Sequence, residues 1–311
     1  VVGVGNVGMA CAQTCLTEDL VDELALIDVQ AEKLRGEMLD LQHAAAFLPR
    51  VKIVAGTNYE VSAGSDICIV TAGARQREGE SRLSLLGRNV SLFQSIIPQL
   101  IRHSPDTILL IVANPVDILT YISWKLTSGA LPPNRVIGTG TNLDSSRLRF
   151  LIADKFNVNA HNIHGYMVGE HGDSSVPLWS NISVANVPIL ELHDPMDGKR
   201  YTKKSLHKFH EAVVGSAYEV IKLKGYTSWA IGYSVASLVK SILRDQRRIH
   251  PVSVLANGFY GIDKDVYLSL PSQLGRAGIL GVASLNVDEE ELQQLQKSAT
   301  TIWDTQANLQ L

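Results

Sequence analysis

The feature that most constrains this chain lies at its start. Val2-Gly3-Val4-Gly5-Asn6-Val7-Gly8 follows an apolar β-branched run and opens a helical pattern, the context that gives the spacing G-x-G-x-x-G its meaning. In that setting Gly3 allows a tight turn, Gly5 lets the backbone approach a pyrophosphate, and Gly8 lets helix and strand pack closely. Asn6 and Val7 then belong to a first helical turn whose N–H groups and dipole favour an anion. Asp28 ends a second apolar run, Leu24-Ala25-Leu26-Ile27-Asp28, about 20 residues further on, where a carboxylate can accept hydrogen bonds from both ribose hydroxyls. A carboxylate there also repels a 2′-phosphate, so NAD is expected over NADP. The same position is compatible with an Asp capping the following helix.

The rest of the first half repeats this alternation. Strands are expected at Val1 to Val4, Glu23 to Ile27, Val51 to Ala55, Ile67 to Thr71, Thr107 to Ala113 and Arg135 to Ile137. Helical periodicity covers Val7 to Thr17, Gln30 to Ala46, Arg82 to His103 and Val116 to Thr127. That order predicts an α/β, Rossmann-type doubly wound parallel sheet. After Gly140 the pattern changes to mixed α+β: helices over Leu143 to Phe156, Lys203 to Lys224 and Ser228 to Arg244, and an antiparallel meander at Val252 to Asn257, Asp265 to Pro271 and Ala277 to Leu280. Asp288 opens a last helix whose first turn, Glu289 to Glu291, suits the positive end of its dipole. A boundary near Gly140 divides the chain into an NAD-binding domain, 1–140, and a catalytic α+β domain, 141–311.

Composition removes several classes of function. With Lys+Arg 28 against Asp+Glu 31 the net charge is −3, so nucleic acid is not an expected partner. The longest charge-free apolar stretch, Thr107 to Val116, falls far short of the roughly 20 residues of a membrane helix. Cys11, Cys15 and Cys68 form neither a disulfide framework nor a zinc spacing, so no metal is expected and a reducing compartment fits.

Three further segments carry chemistry. Gly169-Glu170-His171-Gly172-Asp173 places a histidine in a loop; a lone histidine is more often a surface or core residue than a proton-transfer group. Asp144-Ser145-Ser146-Arg147 puts an acid and a base on one face of a helix start; a cap with a surface ion pair is the alternative to a functional pair. Ala72 to Arg82 follows a strand end, is rich in arginine and lacks large apolar side chains. It is either a solvated loop or one that closes on a bound anion.

Taken together, Gly3-x-Gly5-x-x-Gly8, Asp28, the Arg75-Gln76 to Arg82 loop, Asn114-Pro115-Val116-Asp117, Asp144-x-x-Arg147 and Gly169-Glu170-His171-Gly172-Asp173 resemble, in order and spacing, the L-lactate and malate dehydrogenase family. Lys224-Gly225-Tyr226-Thr227-Ser228-Trp229 looks like its lactate dehydrogenase branch. The resemblance implies reversible hydride transfer between NADH and pyruvate, giving L-lactate, in a cytoplasmic homotetramer. His171 would exchange a proton with the substrate oxygen, Asp144 would hold its other nitrogen, and Arg147 would bind the substrate carboxylate. Arg82 would polarise the carbonyl, Asn114 would hydrogen-bond the reacting oxygen, and Thr227 would line the pocket. Thr71, Ala72, Gly73, Arg75 and Asn114 would join the glycine motif around the cofactor. Gln76 stands where malate dehydrogenases carry Arg; its neutrality favours pyruvate over oxaloacetate, with a malate or broader 2-oxoacid dehydrogenase as the alternative. Arg77, beside it, is expected to point outward.

Overall fold

A computed structural model describes residues 1–74, 85–307 and 309, together with the helical backbone of 82–84. The first half runs α1 (Asn6–Thr17), β1 (Glu23–Ile27), α2 (Ala31–His43), β2 (Lys52–Gly56), β3 (Ile67–Val70), α3 (Arg82–His103), β4 (Ile108–Ile111), α4 (Val116–Leu126) and β5 (Val136–Gly138). The second half continues with α5 (Asn142–Phe156), β6 (Ile163–His164), β7 (Met167–Gly169), β8 (Ser175–Pro177), β9 (Ser183–Val184) and β10 (Val187–Pro188). It closes with α6 (Lys203–Lys224), α7 (Trp229–Leu243), β11 (Ile249–Leu255), β12 (Tyr267–Gly275), β13 (Gly278–Val282) and α8 (Glu289–Gln306).

The parallel strands follow the expected order. β1 pairs with β2, β3 with β4 and β4 with β5, all parallel. Val1 to Val4 does not form a full strand: only Val2 bridges, in parallel, to Ile27 on one side and Val70 on the other. Backbone bonds from Val2 N–H to Ile69 O and from Gly3 N–H to Ile27 O hold this segment between β1 and β3. All four residues of β4, Ile-Leu-Leu-Ile, are buried, as strands covered on both faces require.

The meander forms, with β11, β12 and β13 antiparallel, and it joins the parallel sheet rather than standing apart. β11 runs antiparallel to β5 through Ser253 opposite Gly138, and β12 pairs with β7 through Ser269 opposite Gly169. One sheet therefore spans both halves. Helices α1 and α7 seal the junction at close range. A Cβ on Gly232 of α7 would lie 2.7 Å from Ala10 O and 2.9 Å from Thr14 Oγ1. Lys240 reaches across the same contact to Glu18 at 3.2 Å. At the far end, Asp288 and Glu291 form the reciprocal cap of α8. Among the described residues no helix is long and apolar enough to cross a membrane, and the three cysteines are free and buried.

The glycine motif is a packing constraint as much as a binding one. Gly3 has φ +96°, and a Cβ there would meet Ala72 N at 2.7 Å. A Cβ on Gly8 would fall 1.8 Å from Gly3 O and 2.8 Å from Thr71 Oγ1. Backbone cannot withdraw as a flexible side chain does, so Gly8→Ala should destabilise the fold by about 3 kcal/mol, which urea unfolding would read as a lower midpoint at unchanged slope.

Candidate active site

Around Gly5 the backbone is open: a Cβ added there meets nothing within 4 Å. Gly5 also caps α1 with no side-chain hydrogen bond, leaving the first-turn amides available to an anion. Asp28 sits at the end of β1. Its Oδ2 accepts from Val4 N–H at 2.8 Å and its Oδ1 from Gln30 N–H at 3.0 Å. Gln30, not Asp28, is the N-cap of α2. Asp28 thus steadies the glycine turn, and each carboxylate oxygen retains a lone pair for a ribose hydroxyl. An open backbone, uncapped amides and an acid at the strand end fit a dinucleotide.

Thr71 and Ala72 support this turn, whereas Gly73 lies against Ala113, whose Cβ would be 3.2 Å from a Cβ added there. Thr71 Oγ1 donates to Gly3 O at 2.8 Å, and Ala72 N–H to Val2 O at 2.9 Å. Thr71 therefore acts through the glycine turn. Buried Asn89 of α3, which sequence reasoning missed, ties two candidate segments together. Its Oδ1 accepts from Ala74 N–H at 2.7 Å, and its Nδ2 donates to Asn114 O at 3.0 Å. The available signal was an amide on the apolar face of α3, beside Leu86, Val90 and Phe93.

The chemical groups converge beyond the carboxyl ends of β4 and β5, where open α/β sheets bind ligands. A cavity of about 140 Å³ is lined there by Asn114, Arg147, His171 and Thr227, among others. A larger cavity, about 780 Å³, opens at the amino ends of the strands near Val1; no histidine lines it.

Within the smaller cavity, Asp144 is the hub. It lies in the first turn of α5 and is only 5% exposed. Its Oδ2 bonds His171 Nδ1 at 2.5 Å, and its Oδ1 accepts from Arg147 Nη1 at 2.8 Å. The surface-cap alternative therefore does not hold: Thr141 is the N-cap, and the acid is buried between two bases. Burial alone pushes the Asp144 carboxyl up, but the charge and hydrogen bond of His171, then those of Arg147, override it and hold it below the ordinary range. For His171 burial pulls down, and the charge and hydrogen bond of Asp144, with Asp117 behind, lift it from 6.5 to about 8. With Nδ1 held, Nε2 is the nitrogen left for the cavity.

The His171 loop is fastened from two other elements that sequence reasoning did not assign. Asp117 Oδ2, on α4, accepts from His171 N–H at 2.8 Å, and Ser298 Oγ, on α8, accepts from Glu170 N–H at 2.8 Å. Asp117 was visible as part of Asn114-Pro115-Val116-Asp117; Ser298 left no signal. Arg75, Gln76, Arg77 and the side chain of Arg82 lie outside the described residues.

In proton NMR the His171 ring should titrate near pH 8, and Asp144→Asn should bring the midpoint to 6.5 or below, because burial then acts against a weaker counter-charge. Since the folded value lies above the ordinary one, the stability contributed by this pair is full below about pH 6.5 and lost as pH rises through about 8. A pH-independent unfolding midpoint over that window would contradict the assignment.

This geometry has relatives. Residues 1–138 match the lactate/malate dehydrogenase NAD binding domain, and residues 141–308 the lactate/malate dehydrogenase alpha/beta C-terminal domain. The chain is 60% identical over 307 residues to L-lactate dehydrogenase B of Hordeum vulgare, covering 98% of this chain and 88% of that protein. It is 61% identical to L-lactate dehydrogenase A of the same plant, covering 98% and 85%. To the L-lactate dehydrogenase C chain of Sus scrofa it is 55% identical, covering 99% and 92%. With the glycine turn, Asp28 and the Asp144-centred pair in place along a chain matched over nearly its whole length, this protein belongs to the lactate/malate dehydrogenase family.

Proposed function

We propose that this chain catalyses the NAD-dependent, reversible interconversion of pyruvate and L-lactate. The observation that carries this reading is the buried Asp144, which joins a charged imidazole and a guanidinium at one cavity. Relatives named L-lactate dehydrogenase, 54% to 61% identical over nearly the full chain, support the same substrate. NADH, when bound along the glycine turn and Asp28, supplies the hydride.

The residues of the chain do the rest. Arg147 has Nη1 engaged by Asp144, and its remaining donors form a fork for the pyruvate carboxylate. His171, protonated at neutral pH, donates from Nε2 to the carbonyl oxygen as it gains charge, and takes that proton back from lactate in the reverse direction. Asp144 stabilises the imidazolium before transfer and fixes the ring so that Nε2 faces the substrate. Asn114 and Thr227 line the same cavity and orient the reacting oxygen and the methyl side. Arg82, at the amino end of α3, adds positive charge to the developing alkoxide, and Arg75 approaches the cofactor diphosphate.

Gln76 selects the substrate. A closed site holding oxaloacetate opposite a neutral Gln76 would bury an unpaired carboxylate, at a cost of several kcal/mol. The division of the chain near Gly140, into 1–140 and 141–311, is supported by family matches that end at 138 and resume at 141. Assembly as a homotetramer is supported by large apolar side chains at the surface: Phe47, Phe150, Leu223, Trp229 and Tyr233. A cytoplasmic location agrees with three free cysteines.

His171→Asn should leave NADH binding, followed by fluorescence, near normal while lowering kcat by about three orders of magnitude or more. Retention of a tenth of the wild-type rate would remove His171 from the role of acid. Gln76→Arg tests the substrate. The new cation has no partner in pyruvate and gains one in oxaloacetate, so the ratio of their kcat/KM values should move by roughly 10³ toward oxaloacetate. If Arg77 were the selector, that ratio would stay put in Gln76→Arg and shift in Arg77→Gln.

A further inference from the structure

Asp117 is a buried carboxylate that touches neither substrate nor cofactor in the reaction as described. It lies in the first turn of α4, 3% exposed, and its two oxygens have separate partners. Oδ2 accepts from the main-chain N–H of His171 at 2.8 Å, and Oδ1 accepts from Ser253 Oγ of β11 at 2.6 Å. A neutral amide or hydroxyl could make the tether alone. A carboxylate was placed there instead, with the amino end of α4 to favour its charge and His171 as the cation it faces.

We propose that Asp117 is a positioning residue for His171: it fixes the loop through the His171 main chain and adds a second negative charge behind the imidazolium, on a different element from Asp144. This rests on the reading of His171 as the proton-transfer group. Asp144 and Arg147 face the histidine from α5, Asp117 from α4, and Glu170 and Asp173 flank it in its own loop. His210 of α6, bonded to Ser175, also feels the charge of Asp144. Around Asp117 itself the groups are His171, Glu170 and the Ser253 hydroxyl. Burial raises the Asp117 carboxyl to about 6, against the pull of Ser253 and His171, so the charge is present through the neutral and alkaline range and lost in mild acid.

That behaviour gives the charge a signature that a tether lacks. Asp117→Asn keeps an acceptor for His171 N–H, turns its amide toward a Ser253 hydroxyl that can accept, and removes the charge. The kcat/KM for pyruvate with NADH, measured from pH 5.5 to 9.5, should fall roughly tenfold above pH 8, with the alkaline limb moved toward acid by about one unit. Near pH 5.5, where Asp117 of the wild type is itself protonated, the two enzymes should converge. A loss by the same factor at every pH, with the limb unmoved, would overturn the proposal in favour of a structural tether. An unchanged profile would overturn it outright. Asp117→Ser covers the case in which Asp117→Asn does not fold. Its hydroxyl is neutral and leaves the imidazolium without the second charge, so the limb should move in the same direction, and a limb left at its wild-type pH would count against the proposal. His171→Asn, run in parallel, separates the two readings. An active His171→Asn defeats the assignment of the acid and this inference with it, whereas an inactive one beside a flat Asp117→Asn ratio defeats this inference alone.

Discussion

A buried carboxylate shared by two cations organises this site. Removing Asp144 from water would cost several kcal/mol if it stood alone, and the cost is offset because His171 and Arg147 each take one of its oxygens. Two consequences follow from one residue. The imidazole is held with its charge and its orientation, and the guanidinium is held with part of its fork turned to the cavity. Were the acid absent, burial and the neighbouring Arg147 would strip the proton from His171 near neutral pH. The proposed acid for the carbonyl oxygen and the proposed receptor for the substrate carboxylate are therefore one unit, anchored on the first turn of α5.

That unit works only because it stands beside the cofactor end of the sheet. The antiparallel pairing of β11 with β5, and of β12 with β7, continues the parallel sheet into the second half and brings the His171 loop alongside Asn114. Backbone-close packing of α1 on α7 at Gly232, with Lys240 reaching Glu18, fixes the same relation from the opposite face. The glycine turn is held in its own right by Thr71, Ala72 and Asp28, so a dinucleotide would meet a preformed cradle. His171 is secured from α4, α5 and α8 together, three elements far apart in the chain.

Much of this was written locally. The strand and helix alternation, the three glycines with distinct duties, Asp28 at the strand end and the Asp288 cap all depend on spacings of a few residues, and each appears where such spacing predicts. Val1 to Val4 shows the limit of that approach: its residues have strand character, but pairing requires neighbours on both sides, and only Val2 bridges to both. The roles of Arg75, Gln76 and Arg82 came from resemblance, since the same composition describes a plain solvated loop.

What the sequence by itself determined is therefore the set of elements, the class of cofactor and the residue types able to move a proton and hold a carboxylate. Tertiary structure alone decided their partners. Asp144 could have been a surface cap and His171 a solvent-exposed loop residue; neither periodicity nor composition distinguishes those cases, because the deciding contacts join residues brought together only when α5, β7 and α4 pack. Asn89 and Ser298 escaped notice, and Asp117 was seen without a role, for the same reason. A polar side chain on an apolar face is informative once the group it satisfies is known, and that group lies on another element, across a buried interface where an unpaired donor or acceptor would be costly.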